Sequence, residues 1–402
     1  MYKILVYIFI LFCFFPFVQI LPMGTDSQPN ALCVSLLLFL LKPIWKVDKY
    51  SKNLLFVFVA SCVIWVFSSI QFSALRSLFN YFSLFYLTFI SYNVLRYING
   101  IPYPMFCCVV ILWFLVGTIQ LFIYPDFLSF LIPRGSSSLT VLSGRGVICL
   151  TPEPTFYGIM CLLFMMIGYL NFKEKRSVIF VQLILAWQLF FFSRSSMCLF
   201  VIIISFIIYY IFRILLSRDL KSFVFILFLL SSLYIVFPLL LQFVEEYRIG
   251  ELLTKLWENP WVFITLDASV NERFNHVFFP LYGFFANWGL PHGFDQFGVF
   301  MEDCFRKVQF QELFSDYIYN ASYNRIMSAI AGALFELGWI ASFILIFIFN
   351  VFKPLIIENK TNMLILILLI GILLNAITFS NAIIPFFLGN VLFLNRKLVN
   401  HF

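Results

Sequence analysis

The chain is a succession of apolar stretches, many of roughly the 17–25 residues that cross a bilayer core, separated by short polar or charged breaks. Hydrocarbon offers no partner to a bare N–H or C=O, so stretches of this kind must satisfy their own backbone as helices. Only 11% of the 402 residues are charged and 62% are hydrophobic, too little polar surface for a soluble domain of this size. The predicted fold is all-α, a polytopic integral membrane protein. Its helices lie near 4–20, 31–42, 54–72, 78–95, 105–124, 147–170, 177–193, 196–212, 222–241, 328–350, 361–378 and 380–395, about 12 transmembrane segments with an error of one or two. The first follows Lys3 like a signal peptide, but "QILPMG" at its end has no small-x-small cleavage pattern, so it is read as a helix.

Lys and Arg are retained on the cytoplasmic side. Taking alternate connections as cytoplasmic collects Lys3, "KPIWKVDKYSKN" (42–53), Arg96, "KEKR" (173–176), the Arg213 to Lys221 turn, Lys353 to Lys360 and Arg396–Lys397. Both termini are thereby predicted to be cytoplasmic. That side holds 11 Lys and 5 Arg, whereas the opposite side holds 8 Arg and 2 Lys. The outer arginines are Arg76, Arg134, Arg145, Arg194, Arg248, Arg273, Arg306 and Arg325. Arginine presents a planar fork matched to phosphate and carboxylate oxygens, and lysine a hydrated point charge. The outer face therefore reads as built to hold an anion, against the plainer alternative that arginine simply packs better near an interface.

Two connections are long, and both are external. One is "YPDFLSFLIPRGSSSLTVLSGRG" (124–146), within a first block of helices over 1–241; the other is the large loop 242–327, which precedes the last helices over 328–402. The large loop keeps Trp257, Trp261 and Trp288 and an amphipathic piece, "EEYRIGELLTKLWEN", with Ile249, Leu252, Leu253 and Leu256 at helical spacing. It reads as an ordered lid at the outer membrane interface. Between Glu245 and Arg325 it carries 11 acidic and 6 basic residues, so an anion there needs specific Arg side chains, not bulk charge. No internal repeat is present, no His, Cys or carboxylate cluster has metal-ligand spacing, and the basic residues form no nucleic-acid stripe. Of nine cysteines only Cys304 lies clearly in the outer loop, so no disulfide set is available there.

Four places carry candidate chemistry. In "SGRGVICLTPEPTFYGIM", Arg145 and Glu153 flank the start of the sixth helix, and Pro152 and Pro154 forbid a regular helical start between them. Broken backbone at membrane depth is tolerated where it lines a cavity. The competing explanation for Glu153 is an acid favoured by a helix N-terminus. "FFSRSSM" places Arg194 at a tight external turn, where it either binds or merely snorkels to the interface. "SVNERFNHVFFPLYGFFANWGLPHGFDQFG" gathers Glu272, Arg273, His276, His292 and Asp295 with Gly283, Gly289, Gly293 and Gly298. His292 is a base or donor candidate, although a lone histidine more often serves structure. Ser328, Gly332 and Glu336 recur every four residues as a small, small, acidic stripe.

These segments together resemble the bacterial O-antigen polymerase (Wzy) family and, more distantly, the O-antigen ligases. The resemblance rests on "RGVICLTPEPTFYG", on the Ser-Arg-Ser turn of "FFSRSSM", on Arg273 followed after fifteen residues by Gly289, on "GLPHGF" and on "LFELGWIASFIL". Ligases resemble one another in a His-Asn pair before the helix that follows the large loop; here that place reads "SYNRIM", which favours a polymerase. The resemblance implies an enzyme of the bacterial inner membrane. It would move a growing glycan from undecaprenyl diphosphate onto the next lipid-linked repeat unit at the periplasmic face, and no cofactor or metal is implied. Catalytic roles fall on Arg145, Glu153, Arg273 and His292. Substrate binding falls on Arg194, Arg134, Glu272, Gly289, Asp295 and Arg325. Membrane lipid, a chain-length regulator (Wzz-like) and a flippase are the implied partners. The alternatives are an O-antigen ligase and a lipid-linked oligosaccharide flippase or other transporter.

Overall fold

Apolar runs without internal breakers become helices because the helix satisfies each N–H and C=O within the run, and the prolines and glycines between them set the ends. The structure is a computed structural model that describes residues 1–20, 25–42, 47–68, 72–133, 136–142, 144–217, 268–315, 325–375 and 377–399, with isolated positions between 224 and 265. Among these residues the regular structure is all helical. The sequence-predicted helix 222–241 and the amphipathic piece 245–259 lie almost wholly outside the described residues, and so does Arg134. The described residues fall into two compact units, one of 1–195, 337–362 and 377–402 and one of 196–336 and 363–376.

The first unit contains α1 (Tyr2–Phe14), α2 (Asn30–Leu41), α3 (Ser51–Ser68), α4 (Phe72–Ile98), α5 (Tyr103–Phe122) and the short α6 (Ser137–Leu142). It continues with α7 (Pro154–Phe172) and α8 (Val178–Trp187), the latter running into a π turn over Gln188–Ser193. The second unit holds α9 (Ser196–Ser217), α10 (Ala268–Ala286), α11 (Phe297–Phe305) and α12 (Val308–Gln311). Then follow α13 (Ala329–Leu337), a 3₁₀ turn (Gly338–Ala341), α14 (Ser342–Glu358), α15 (Asn362–Asn375) and α16 (Ile383–Val399). Among the described residues, five segments are long and apolar enough to cross a membrane: Ala74–Ile98, Tyr103–Phe122, Pro154–Phe172, Ser196–Ile214 and Ala329–Glu358. Several others, such as Tyr2–Phe14 and Asn362–Asn375, are apolar but shorter.

Two of the boundaries that differ from the sequence expectation have a clear backbone reason. The sixth helix begins at Pro154, not 147, because Glu153 is extended (φ −147°, ψ 153°) and Pro154 takes the first helical position, where its missing N–H costs nothing. The helix expected over 328–350 is interrupted at Gly338, whose φ of +61° leaves the helical region, and resumes as far as Glu358.

Two contacts lock the first unit. Helices α4 and α16 cross at Gly389, where a β-carbon would lie 2.6 Å from the Ser91 Cβ and 2.9 Å from the Thr88 carbonyl oxygen. The absence of a side chain lets the two backbones touch. At the other fastening, the fully buried Asp48 carboxylate accepts the Tyr50 N–H at 2.9 Å and a hydrogen bond from the Arg396 Nε. The first unit also has an aromatic core in which Phe14 of α1 meets Phe106, Phe164 and Phe386, and Trp113 stacks on Tyr157.

Gly389→Ala is expected to force α4 and α16 apart and cost about 1–3 kcal/mol. Asp48→Ala, which strands Arg396, is expected to cost about 1.5–3 kcal/mol. Thermal unfolding of the purified protein in detergent reads both as a lowered midpoint.

Candidate functional site

The irregular segment that leads into α7 is held by many contacts among the described residues of the first unit. Val147 through Thr151 are buried, so each of their polar groups needs a partner inside the protein. Gln120 of α5 supplies the main ones. Its Oε1 accepts the Cys149 N–H at 2.7 Å, and its Nε2 donates to the Cys149 carbonyl at 3.0 Å and to the Phe127 carbonyl at 2.8 Å. One amide side chain thus grips both faces of a residue held at φ +53°, a conformation that costs a non-glycine residue about 1–3 kcal/mol. The Cys149 thiol donates to the Trp113 carbonyl at 3.3 Å. Further along, the Thr151 hydroxyl lies 2.7 Å from the carbonyls of both Ile148 and Glu153, which ties the turn to the start of α7.

The same segment is pressed against the turn that carries Arg194. The Val147 N–H donates to the Phe192 carbonyl at 2.9 Å, and a β-carbon on Gly146 (φ +92°) would sit 2.4 Å from that oxygen and 2.7 Å from the Ser193 oxygen. Only glycine fits there. The π turn ends with Arg194 in the left-handed region (φ 45°, ψ 32°), and its Nε donates to the Phe191 carbonyl at 3.2 Å. Arg145 and Arg194 are therefore brought to one backbone junction, both exposed, and Glu153 is exposed at the far end of the same segment. Two guanidinium forks carried from one backbone junction suit an oxyanion ligand, because the junction fixes where both side chains start.

The second unit organises its own candidates. Glu272 and Arg273 are half-buried in α10. The fifteen residues separating Arg273 from Gly289 span the rest of that helix and its C-terminal stop. The Trp288 N–H donates to the Phe285 carbonyl at 3.1 Å and the Gly289 N–H to the Phe284 carbonyl at 2.7 Å, with φ of +56° and +72°. This is the Schellman closure of a helix, so the Gly289 requirement is conformational.

His292 and Gly293 then donate their N–H groups to the carbonyls of Phe335 (3.0 Å) and Glu336 (3.2 Å), just before the break at Gly338. The His292 ring stacks on Phe335 at 4.2 Å and 3°, and its Nε2 lies 3.0 Å from the Gly283 carbonyl. A carbonyl only accepts, so Nε2 carries the proton and Nδ1 is the atom left to act as a base. Asp295 is exposed, with φ +61°, and Arg325 is half-buried.

Beneath them lies an aromatic core of Phe279, Phe297, Met301, Phe310, Phe314 and Phe335. Asn271 joins it to the following segment, donating to the Leu313 carbonyl at 2.8 Å and accepting the Ser315 N–H at 3.1 Å. His276 is 4% exposed; burial, with the charge of Arg325 second, lowers its pKa to about 3. It is a neutral core histidine.

Sequence reasoning passed over Gln120, which grips Cys149, and Tyr157 and Gln188, which are hydrogen-bonded to each other. Their signal was present, since each is a polar side chain inside an otherwise apolar helical run. No family model matches the chain, and no curated protein or solved structure is significantly similar to it.

Replacing Gln120 with leucine leaves the Cys149 N–H and C=O buried without that partner, at about 1–3 kcal/mol for each orphaned group. Amides 145–151 are expected to exchange faster in that variant. A second expectation follows from His276. Its folded pKa near 3 lies below the unfolded value of about 6.5, so the unfolded state takes up the proton first. Stability of the α10 to α12 region is then full above about pH 6.5 and falls as the pH drops toward 3. Hydrogen exchange of 297–314 at pH 7.5 and 5.5 reads this, and His276→Asn is expected to flatten the difference.

Proposed function

We propose that the chain is an O-antigen polymerase: a glycosyltransferase that joins undecaprenyl-diphosphate-linked repeat units at the periplasmic face of the bacterial inner membrane. The observation that carries this reading is the junction of two outward arginines, Arg145 and Arg194, on backbone fixed by Gln120 and Gly146. The reaction displaces a diphosphate, and what such a step needs most is preorganised donors where negative charge develops. An acceptor sugar hydroxyl attacks the anomeric carbon of the donor glycan. The new C–O bond forms as the bond to the diphosphate breaks, and undecaprenyl diphosphate leaves with the electron pair. The acceptor's proton passes to a base. Arg145 and Arg194 bind the diphosphate in this scheme, and Arg273 of the second unit is a separate candidate for the same role. Glu153 takes the proton or positions an arginine, with His292 Nδ1 as the second candidate base. Arg134, Glu272, Gly289, Asp295 and Arg325 contribute to substrate binding.

The finer topology belongs to the same proposal: about 12 spans and cytoplasmic termini. It is supported by contacts among the residues assigned to the cytoplasmic side. Lys42 lies over the rings of Tyr97 (4.7 Å) and Tyr2 (5.6 Å), Lys175 over Tyr103 (4.3 Å), Asp48 holds Arg396, and Lys173 meets Glu358 at 3.4 Å. Tyrosine beside lysine is the composition of a membrane–water boundary. A chain-length regulator and the flippase that delivers the lipid-linked unit are the partners such an enzyme would work with.

A strain lacking the gene is expected to carry lipid bearing a single repeat unit, whereas loss of a ligase would leave unattached long polymer. Full-length glycan on lipid in that strain would end the proposal. In complementation, Arg145→Ala, Arg194→Ala and Arg273→Ala are expected to abolish polymer at normal membrane abundance. The matching Arg→Lys variants should rescue poorly, because the bidentate fork is lost. Normal chain lengths in these variants would remove the diphosphate role from the arginines.

A further inference from the structure

Tyr157 lies one turn into α7, immediately after the broken start that carries Glu153, and is fully buried. Its hydroxyl donates to the Oε1 of Gln188 at 2.8 Å. Gln188 is the first residue of the π turn that ends at Arg194, and it too is fully buried. The α5 helix approaches this bond closely at Gly117. A β-carbon on Gly117 would lie 2.8 Å from both the Tyr157 hydroxyl and the Phe192 ring, and one turn later on the same helix Gln120 grips Cys149.

The arrangement is not what stability alone would select. The Gln188 Nε2 and the Trp113 Nε1 are buried donors without a hydrogen-bond partner among the described residues, and Trp113 is the residue stacked on Tyr157. Each such donor costs about 1–3 kcal/mol, whereas an apolar pair at 157 and 188 would leave no Gln188 donor to satisfy. Single π turns are frequent at functional sites.

We infer that Tyr157 is a positioning residue: its hydrogen bond to Gln188 fixes the π turn against α7 and so sets Arg194 relative to the segment bearing Arg145 and Glu153. The inference rests on the polymerase reading for its consequence, but the coupling itself has a readout independent of activity.

The test is Tyr157→Phe in the full-length protein. Amides 188–195 are expected to exchange about tenfold faster, the effect of losing one hydrogen bond. Turnover on lipid-linked repeat units is expected to fall about 10–100-fold, the usual consequence of a misplaced catalytic group. The double variant Tyr157→Phe/Gln188→Leu removes both partners; it is expected to recover thermal stability without recovering turnover. Unchanged exchange at 188–195 in Tyr157→Phe overturns the inference, as does a double variant that regains turnover together with stability. If the wild-type protein makes no polymer from these units while Tyr157→Phe still loosens 188–195, the coupling stands and the polymerase reading falls.

Discussion

The grip of Gln120 on the backbone of Cys149 is the interaction from which the rest of the candidate site follows. Irregular backbone buried against an apolar bundle is tolerable only when its N–H and C=O groups find partners inside the protein. Here one side chain from α5 satisfies both groups of the residue at the bend. With that residue fixed, Thr151 reaches the start of α7, Gly146 lies on the carbonyls of the π turn, and the two exposed arginines acquire defined backbone positions. The left-handed backbone at Cys149 and the orphaned amide of Gln188 are costs, and they are grouped where the chemistry is proposed.

The second unit solves a related problem with backbone alone. The Phe335 and Glu336 carbonyls are taken up by the N–H groups of His292 and Gly293. The glycines and the histidine of "NWGLPHGF" are thereby accounted for by helix closure and loop docking, before any role toward a ligand is considered. The same unit carries the exposed Asp295 and the half-buried Arg273 and Arg325, to which the proposed function gives roles.

How much of this could be read from the residues differs by level. The helical class was legible because hydropathy and backbone satisfaction in an apolar medium allow a stretch of this kind few other outcomes. The break before α7 was legible from Pro152 and Pro154, although the helix starts at Pro154 and not at 147, since a hydrophobic run does not reveal which of its residues are extended. Arg145 and Arg194 could be named as a pair of outer arginines, but their meeting at one junction depends on the close approach of Gly146 to Phe192 and Ser193, which no spacing encodes. The Arg273 to Gly289 interval looked like a motif and is the length of a capped helix. Gln120, Tyr157 and Gln188 were visible only as polar residues in apolar runs, and what each bonds to is a tertiary fact.

Reconstitution tests the central claim most directly. The purified protein, placed in liposomes with defined undecaprenyl-diphosphate-linked repeat units, is expected to give a ladder of products that lengthens by one unit per step and releases one undecaprenyl diphosphate for each bond made. A lipid-linked unit that stays at its original size, with the protein shown to be folded and correctly inserted, would contradict it.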